Sequence, residues 1–284
     1  MATFESSDGS VVVWNTNEWV ERNQQDFKPP VCNKCMFSDQ LKVFFVGGPN
    51  SRKDYHLEEG EEIFYQIKGD MVLKVVEQGV HKDIKIKEGE LFLLPAYVEH
   101  SPQRFADTLG VLLNVTGLQM SVIVFNSNDI LWERWFHLSD VVKDLPPVIK
   151  QFNESEANKT GKPTNDSFAC EPPYKPKSLK LAQPINMAKY IDEHLDEINK
   201  QPHPLFADQN SRAKIILYGK GDHKLKTNDA EMVLLFQRGE GELLKPNSAT
   251  TIKAFYTTRL KPNTEFTLKI SDGVCLAAQI LPNI

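Results

Sequence analysis

"DYHLEEGEEIFYQIKG", residues 54–69, sets one histidine ahead of four glutamates gathered around a glycine. Such acidic clusters are usually solvated turns, so the first question is what surrounds this one. On both sides the hydrophobic pattern has a period of two. Strand-like stretches run over "LKVFFVGG" (41–48), "EEIFYQIKG" (61–69), "MVLKVVEQG" (71–79), "KDIKIKEG" (82–89) and "LFLLP" (91–95). Ile84 and Ile86 alternate with Lys85 and Lys87, as on a half-buried strand. Glycines 60, 69, 79, 89 and 110 punctuate the region. Short strands at a spacing of about ten residues predict an antiparallel sandwich or barrel. "TLGVLLNV" (108–115) and "MSVIVFN" (120–126) extend it.

Outward from this block the texture changes twice. "NTNEWVERNQQDF" (15–27) reads as a short capped helix closed by Pro29 and Pro30. Residues 153–178, rich in polar residues, Pro and Gly, read as a linker, and 184–200 as a helix. Strand patterns return in "AKIILYG" (213–219), "EMVLLFQRG" (231–239), "TIKAFYTTRL" (251–260), "FTLKI" (266–270) and "VCLAAQIL" (274–281). The expected organisation is a β domain over 1–150, a linker and helix over 151–203, and a second β domain over 204–284.

With 284 residues, 40% of them hydrophobic, the chain can build one large or two modest cores. A net charge of −5 argues against a nucleic-acid partner. No apolar run approaches a membrane span, and "MATFESSDGSVVVWN" (1–15) has no signal-peptide pattern. The expectation is a cytoplasmic protein whose four cysteines are thiols. Cys32 and Cys35 form a C-x-x-C with no second pair to complete a metal site.

Three residues of the first β block can converge as metal ligands. His56 and Glu62 flank the Gly60 turn, and His100 follows "LFLLPAYVE" (91–99). Two imidazoles and one carboxylate leave positions open on an octahedral ion, as iron(II) chemistry with dioxygen requires; zinc or manganese would fit the same donors. Glu58, Glu59 and Glu61 are expected on a solvated turn. Arg52, Asp54 and His56 share one face of an extended strand, and Arg104 lies four residues beyond His100. Guanidinium groups there suit a substrate carboxylate, although each alone would read as a surface ion pair.

The spacing from Gly48 through His56 and Glu62 to Gly69 resembles the first cupin motif, and that from Gly89 through Pro95 to His100 the second. Two departures stand out: Asp54 replaces the motif's first histidine, and Tyr97 replaces a turn glycine. Segments 27–75 and 89–110 resemble the animal 3-hydroxyanthranilate 3,4-dioxygenases more specifically. The resemblance continues more weakly through "LWERWF" (131–136), "TGKP" (160–163) and the C-terminal half.

The resemblance implies a mostly β chain with two cupin jelly-roll barrels, the second degenerate, joined by a linker and helix. It implies a monomer with a mononuclear Fe2+ held by His56, Glu62 and His100. It implies a pocket in which Arg52, Arg104 and Asn33 bind 3-hydroxyanthranilate, with dioxygen as co-substrate, on a route to quinolinate and NAD. Asn114 stands where the family carries a glutamate that helps hold the substrate carboxylate. Asparagine hydrogen-bonds but carries no charge, so weak activity, or metal binding without turnover, is the alternative expectation. His223 and Glu231 in the second half are spaced wrongly for a triad, and "LKPNTEFTL" (260–268) has no histidine after its proline.

Overall fold

The computed structural model describes residues 2–28, 32–115, 118–206 and 211–281. Strands dominate, as the period of two predicts. The chain divides into two compact units, one of residues 26–34 and 44–184, the other of residues 1–25, 35–43 and 185–284.

The first unit places two antiparallel sheets around the candidate site. One runs in the order Asp129–Leu138, Leu118–Asn126, Asp54–Glu58, His100–Arg104, Met71–Glu77, Val80–Ile86. The other holds Glu90–Leu94, Glu62–Lys68 and Leu109–Val115 side by side. The chain switches sheets between Asp54–Glu58 and Glu62–Lys68, and again between Glu90–Leu94 and His100–Arg104. These switches are those of a jelly roll. Ile84 and Ile86 are buried while Lys85 and Lys87 are exposed, as the alternation requires. With Phe64, Leu73, Val75, Phe92 and Leu94 they form the apolar core.

Two strands are absent from the apolar pattern: Asp54–Glu58 and His100–Arg104. Their residues are polar because their inward face builds a site, so strand propensity does not mark them. The segment expected as a linker is part of this unit. Glu156–Thr160 is a short helix capped by Ser155 and closed by Gly161. Beyond it, Ser167 O accepts from Glu133 N at 3.0 Å, and Tyr174 Oη donates to Glu59 at 2.9 Å. Leu181 ends the segment inside the core. Its polar composition serves to cover the open edge strand Asp129–Leu138.

The second unit gathers the N-terminus with the C-terminal half, in place of the expected grouping of residues 1–150. The cause is strand pairing, since Val11–Asn15 lies antiparallel to Tyr256–Leu260. Met232–Lys245 and Glu265–Ile280 pair with register shifts that bend both strands. At the bend Gly239 has φ +71, and a Cβ there would stand 2.3 Å from the Asp272 carbonyl oxygen. The interior is filled by apolar side chains, among them Val11, Val13, Leu234, Phe236, Leu260 and Leu268. His223 turns to the Gly219 carbonyl, and Glu231 accepts from Leu41 N at 2.7 Å. The expected helix runs from Met187 to Lys200, capped by Asn186. Among the described residues no helix is long and apolar enough to cross a membrane.

Because Val13 is fully buried in the second core, Val13→Ala is expected to cost about 2 kcal/mol. Urea unfolding of the variant measures this, and its metal content is expected to match that of the parent chain.

Candidate metal centre

Strand parity assembles the centre. On Asp54–Glu58 the inward positions are Asp54, His56 and Glu58. On His100–Arg104 they are His100 and Arg104, and on Glu62–Lys68 they include Glu62 and Gln66. Register sets His100 directly opposite His56, with ring centroids 5.9 Å apart. One sheet therefore supplies both imidazoles, and the other supplies Glu62 and, from Leu109–Val115, Asn114.

His56, Glu62 and His100 are each at least 95% buried. The His100 Nδ1 donates to the Val98 carbonyl at 3.0 Å, a bond that fixes the tautomer and leaves Nε2 facing inward. That Nε2 lies 2.7 Å from Glu62 Oε2. At this distance the pair shares a proton when no metal is bound, and a metal ion takes the place of that proton. This donor set, two imidazoles with a carboxylate, fits a divalent transition metal.

Glu58 contradicts its expected place on a solvated turn. It is 6% exposed, and its donor atom lies within 4.8 Å of those of His56 and His100. Glu59 and Glu61 are engaged or buried as well: Glu59 accepts from Gln119 N and Tyr174, and Glu61 is buried. Counting two residues along the strand from His56 would have turned Glu58 inward. Asn114 faces the same centre. Its Nδ2 donates to Glu58 Oε2 at 2.6 Å and to Glu62 Oε1 at 3.3 Å, and its Oδ1 is buried without a partner.

The two arginines differ. Arg52 holds Asp54 through two bonds, of 3.2 and 2.5 Å, and Asp54 in turn lies 2.9 Å from His56 Nε2. Burial works to raise the Asp54 carboxyl, but His56 and Arg52 outweigh it and hold it well below the usual range. Burial, then Arg52, pushes His56 down to about 4, so its ring is neutral. Arg104 is 4% exposed, donates to Gln66 Oε1 at 3.0 Å, and makes no ion pair among the described residues. Burial lowers its guanidinium to about 10, opposed by the nearby Glu62 charge, and it remains a cation at neutral pH. Gly110 makes room for it, since a Cβ there would stand 2.7 Å from Arg104 Nη1 and 2.3 Å from Gln66 Oε1. Asn33 opens the Asn33–Ser38 strand, its Oδ1 enclosed and unpartnered.

A family model described as 3-hydroxyanthranilic acid dioxygenase matches residues 10–153. The chain is also 45% identical over 269 residues to 3-hydroxyanthranilate 3,4-dioxygenase of Caenorhabditis elegans, covering 93% of this chain and 96% of that one.

The chain belongs to the 3-hydroxyanthranilate dioxygenase family.

Its human relative of the same name is 46% identical over 209 residues, 72% of this chain and 73% of that one. In fold, this family member is similar to a salicylate 1,2-dioxygenase from Pseudaminobacter salicylatoxidans (TM-score 0.60, 10% identity, 99% of this chain and 87% of that one). It is also similar to a cupin 2 conserved barrel domain protein from Leptotrichia buccalis (TM-score 0.50, 11% identity, 99% and 100%). Those two likenesses establish the cupin fold.

Proton competition at this centre has a direction. Burial disfavours a charged His100, but Glu62 outweighs it and raises the imidazole above its ordinary 6.5. A metal must displace that proton. Affinity of the metal-free protein for a divalent ion, measured by titration calorimetry between about pH 8 and about pH 6, is therefore expected to weaken steadily toward acid. His56, held near 4, adds nothing in that window.

Proposed function

We propose that this chain is an iron(II)-dependent dioxygenase that opens the ring of 3-hydroxyanthranilate to 2-amino-3-carboxymuconate semialdehyde. The product would feed quinolinate and NAD formation. The observation that carries the reading is Arg104, a buried guanidinium with no ion pair among the described residues, on the strand that also carries His100. An uncompensated buried cation is costly unless an anion joins it. A carboxylate on an aromatic ring supplies that anion, and the fork geometry of arginine suits it.

His56, Glu62 and His100 are the residues assigned to hold the metal. Bound iron(II) supplies the one-electron chemistry that ground-state dioxygen needs. The protein's own contribution is orientation and dryness. Arg104 holds the carboxylate end of the substrate, so that its adjacent hydroxyl and amine face the His and Glu donors. Gln66 and the space left by Gly110 keep the guanidinium in place. Near-complete burial of the donors excludes water from the reacting atoms. Asn33, with its unpartnered oxygen, is assigned to the substrate's polar edge. Arg52 acts through Asp54, which it orients toward His56.

Both atoms of dioxygen enter the product, so uptake and semialdehyde formation should match one to one. The reading needs only the substrate, dioxygen and iron, in a single chain. The four cysteines are free thiols, which suits the reducing cytoplasm.

Oxygen uptake by iron-loaded protein with 3-hydroxyanthranilate tests this directly. Arg104→Ala is expected to retain iron and lose about 1.5–3 kcal/mol of transition-state stabilisation in kcat/KM, the worth of a charge-assisted bond. Full iron with no oxygen consumption in the parent chain would favour the second reading, a metal-binding cupin without turnover. Asn114, neutral where the family has a carboxylate, is the feature that favours it.

A further inference from the structure

In the second unit the helix Met187–Lys200 carries Tyr190, His194 and Glu197 at i, i+4 and i+7, on one face. The chain turns at Gln201 and Pro202 and returns as the strand His203–Leu205, with His203 opposite Leu217 in the sheet. His203 comes back against that face. Its ring lies 5.5 Å from that of His194 and 5.7 Å from that of Tyr190, centroid to centroid. We propose that His194, Glu197 and His203 form a second metal site, which takes a divalent transition ion such as zinc and shares no residue with the first centre.

Both imidazoles are oriented as ligands are. His194 Nδ1 lies 2.9 Å from the Tyr190 carbonyl oxygen, which can only accept, so Nδ1 carries the proton and Nε2 keeps the lone pair. His203 Nε2 meets the Tyr190 hydroxyl at 2.8 Å, and by donating to it the ring leaves its Nδ1 lone pair for an ion. Ligating histidines are held in this way, through the nitrogen that does not face the metal. The Tyr190 ring also stacks on His194, with centroids 4.2 Å and planes 17° apart. Tyr190 is thus a positioning residue for both histidines.

The carboxylate completes the set. Glu197 Oε2 lies 3.8 Å from His203 Nδ1. That is too long for a hydrogen bond, yet within the span of two donors that share one ion at about 2.0–2.2 Å each. A surface ion pair would account for His203 and Glu197, but not for His194, whose Nε2 has no bond among the described residues. Among those residues only the first centre gathers three such donor atoms within 4.8 Å. The second set therefore closes when side chains turn, and Glu197, 64% exposed, has the room to do so. Two imidazoles and one carboxylate leave one position of a tetrahedral ion to solvent. The bound ion ties the last turns of the helix to the strand that follows.

The test is zinc binding by the metal-free chain, with bound metal counted across an equilibrium dialysis series. The parent is compared with His194→Ala, His203→Ala, Glu197→Gln, Tyr190→Phe and His100→Ala. The parent is expected to bind two zinc ions, and His194→Ala and His203→Ala one each. Tyr190→Phe keeps the stacked ring and loses the hydroxyl, and is expected to weaken the second ion by about 10-fold with the count unchanged. Glu197→Gln, at an exposed position, is expected to keep the fold and to weaken it by more than that. His100→Ala is expected to lose the other ion and keep this one. Two ions in the parent that persist in His194→Ala, His203→Ala and Glu197→Gln overturn the proposal, since the second ion then lies elsewhere. A second ion that never saturates is adventitious and overturns it too. So does a single ion in the parent that disappears in His100→Ala. A single ion that survives His100→Ala and disappears in His194→Ala upholds this site and removes the metal from the first centre, so the two assignments fail separately. Should a histidine variant lose its circular dichroism signature, Glu197→Gln decides alone, and unchanged affinity there overturns the proposal.

Discussion

His56 and His100 face each other across two antiparallel strands, and the functional reading of the first barrel rests on that register. A slip of one residue would turn His56 outward and bring Tyr55 or Leu57 into its place, because strand side chains alternate between faces. The register is pinned from both sides. His56 also lies opposite Val122, and His100 opposite Val75, both fully buried. The apolar cores on either side thus hold two imidazoles in a position that neither strand would maintain alone.

Around that pair, charge is organised by matching each buried ion to a neighbour. Asp54 answers Arg52 and orients toward His56, while Gln66 and Gly110 shape the space for Arg104. The carboxylates Glu58 and Glu62 share the Asn114 amide. Arg104 makes no ion pair among the described residues, and Glu62 is the charge that acts on it.

The second unit is built on apolar packing. Its interior is closed by Leu234, Phe236, Leu260, Phe266 and Leu268. Glu231, one of its two candidate groups, is spent on the Leu41 amide and approaches Arg259 at 3.6 Å. His223, the other, hydrogen-bonds to the Gly219 carbonyl.

By itself the sequence determined the β architecture, the family, and the three strongest ligand candidates, because hydrophobic period and motif spacing are local properties written along the chain. Ile84 and Ile86 mark their strand unaided, and the interval from His56 to Glu62 spans the turn at Gly60. Only the tertiary structure decided the rest. That residues 11–15 belong to the C-terminal barrel depends on pairing with residues 256–260, a contact across most of the chain that no local pattern encodes. That residues 161–184 pack on the first barrel depends on hydrogen bonds to Glu133 and Glu59, which polar composition conceals. Glu58 and Glu59 are neighbours of one residue type, yet one is turned to the histidines and the other to Tyr174. Glu58 is the last residue of its strand and shares the face of His56, whereas Glu59 already belongs to the turn, where Tyr174 and the Gln119 amide reach it.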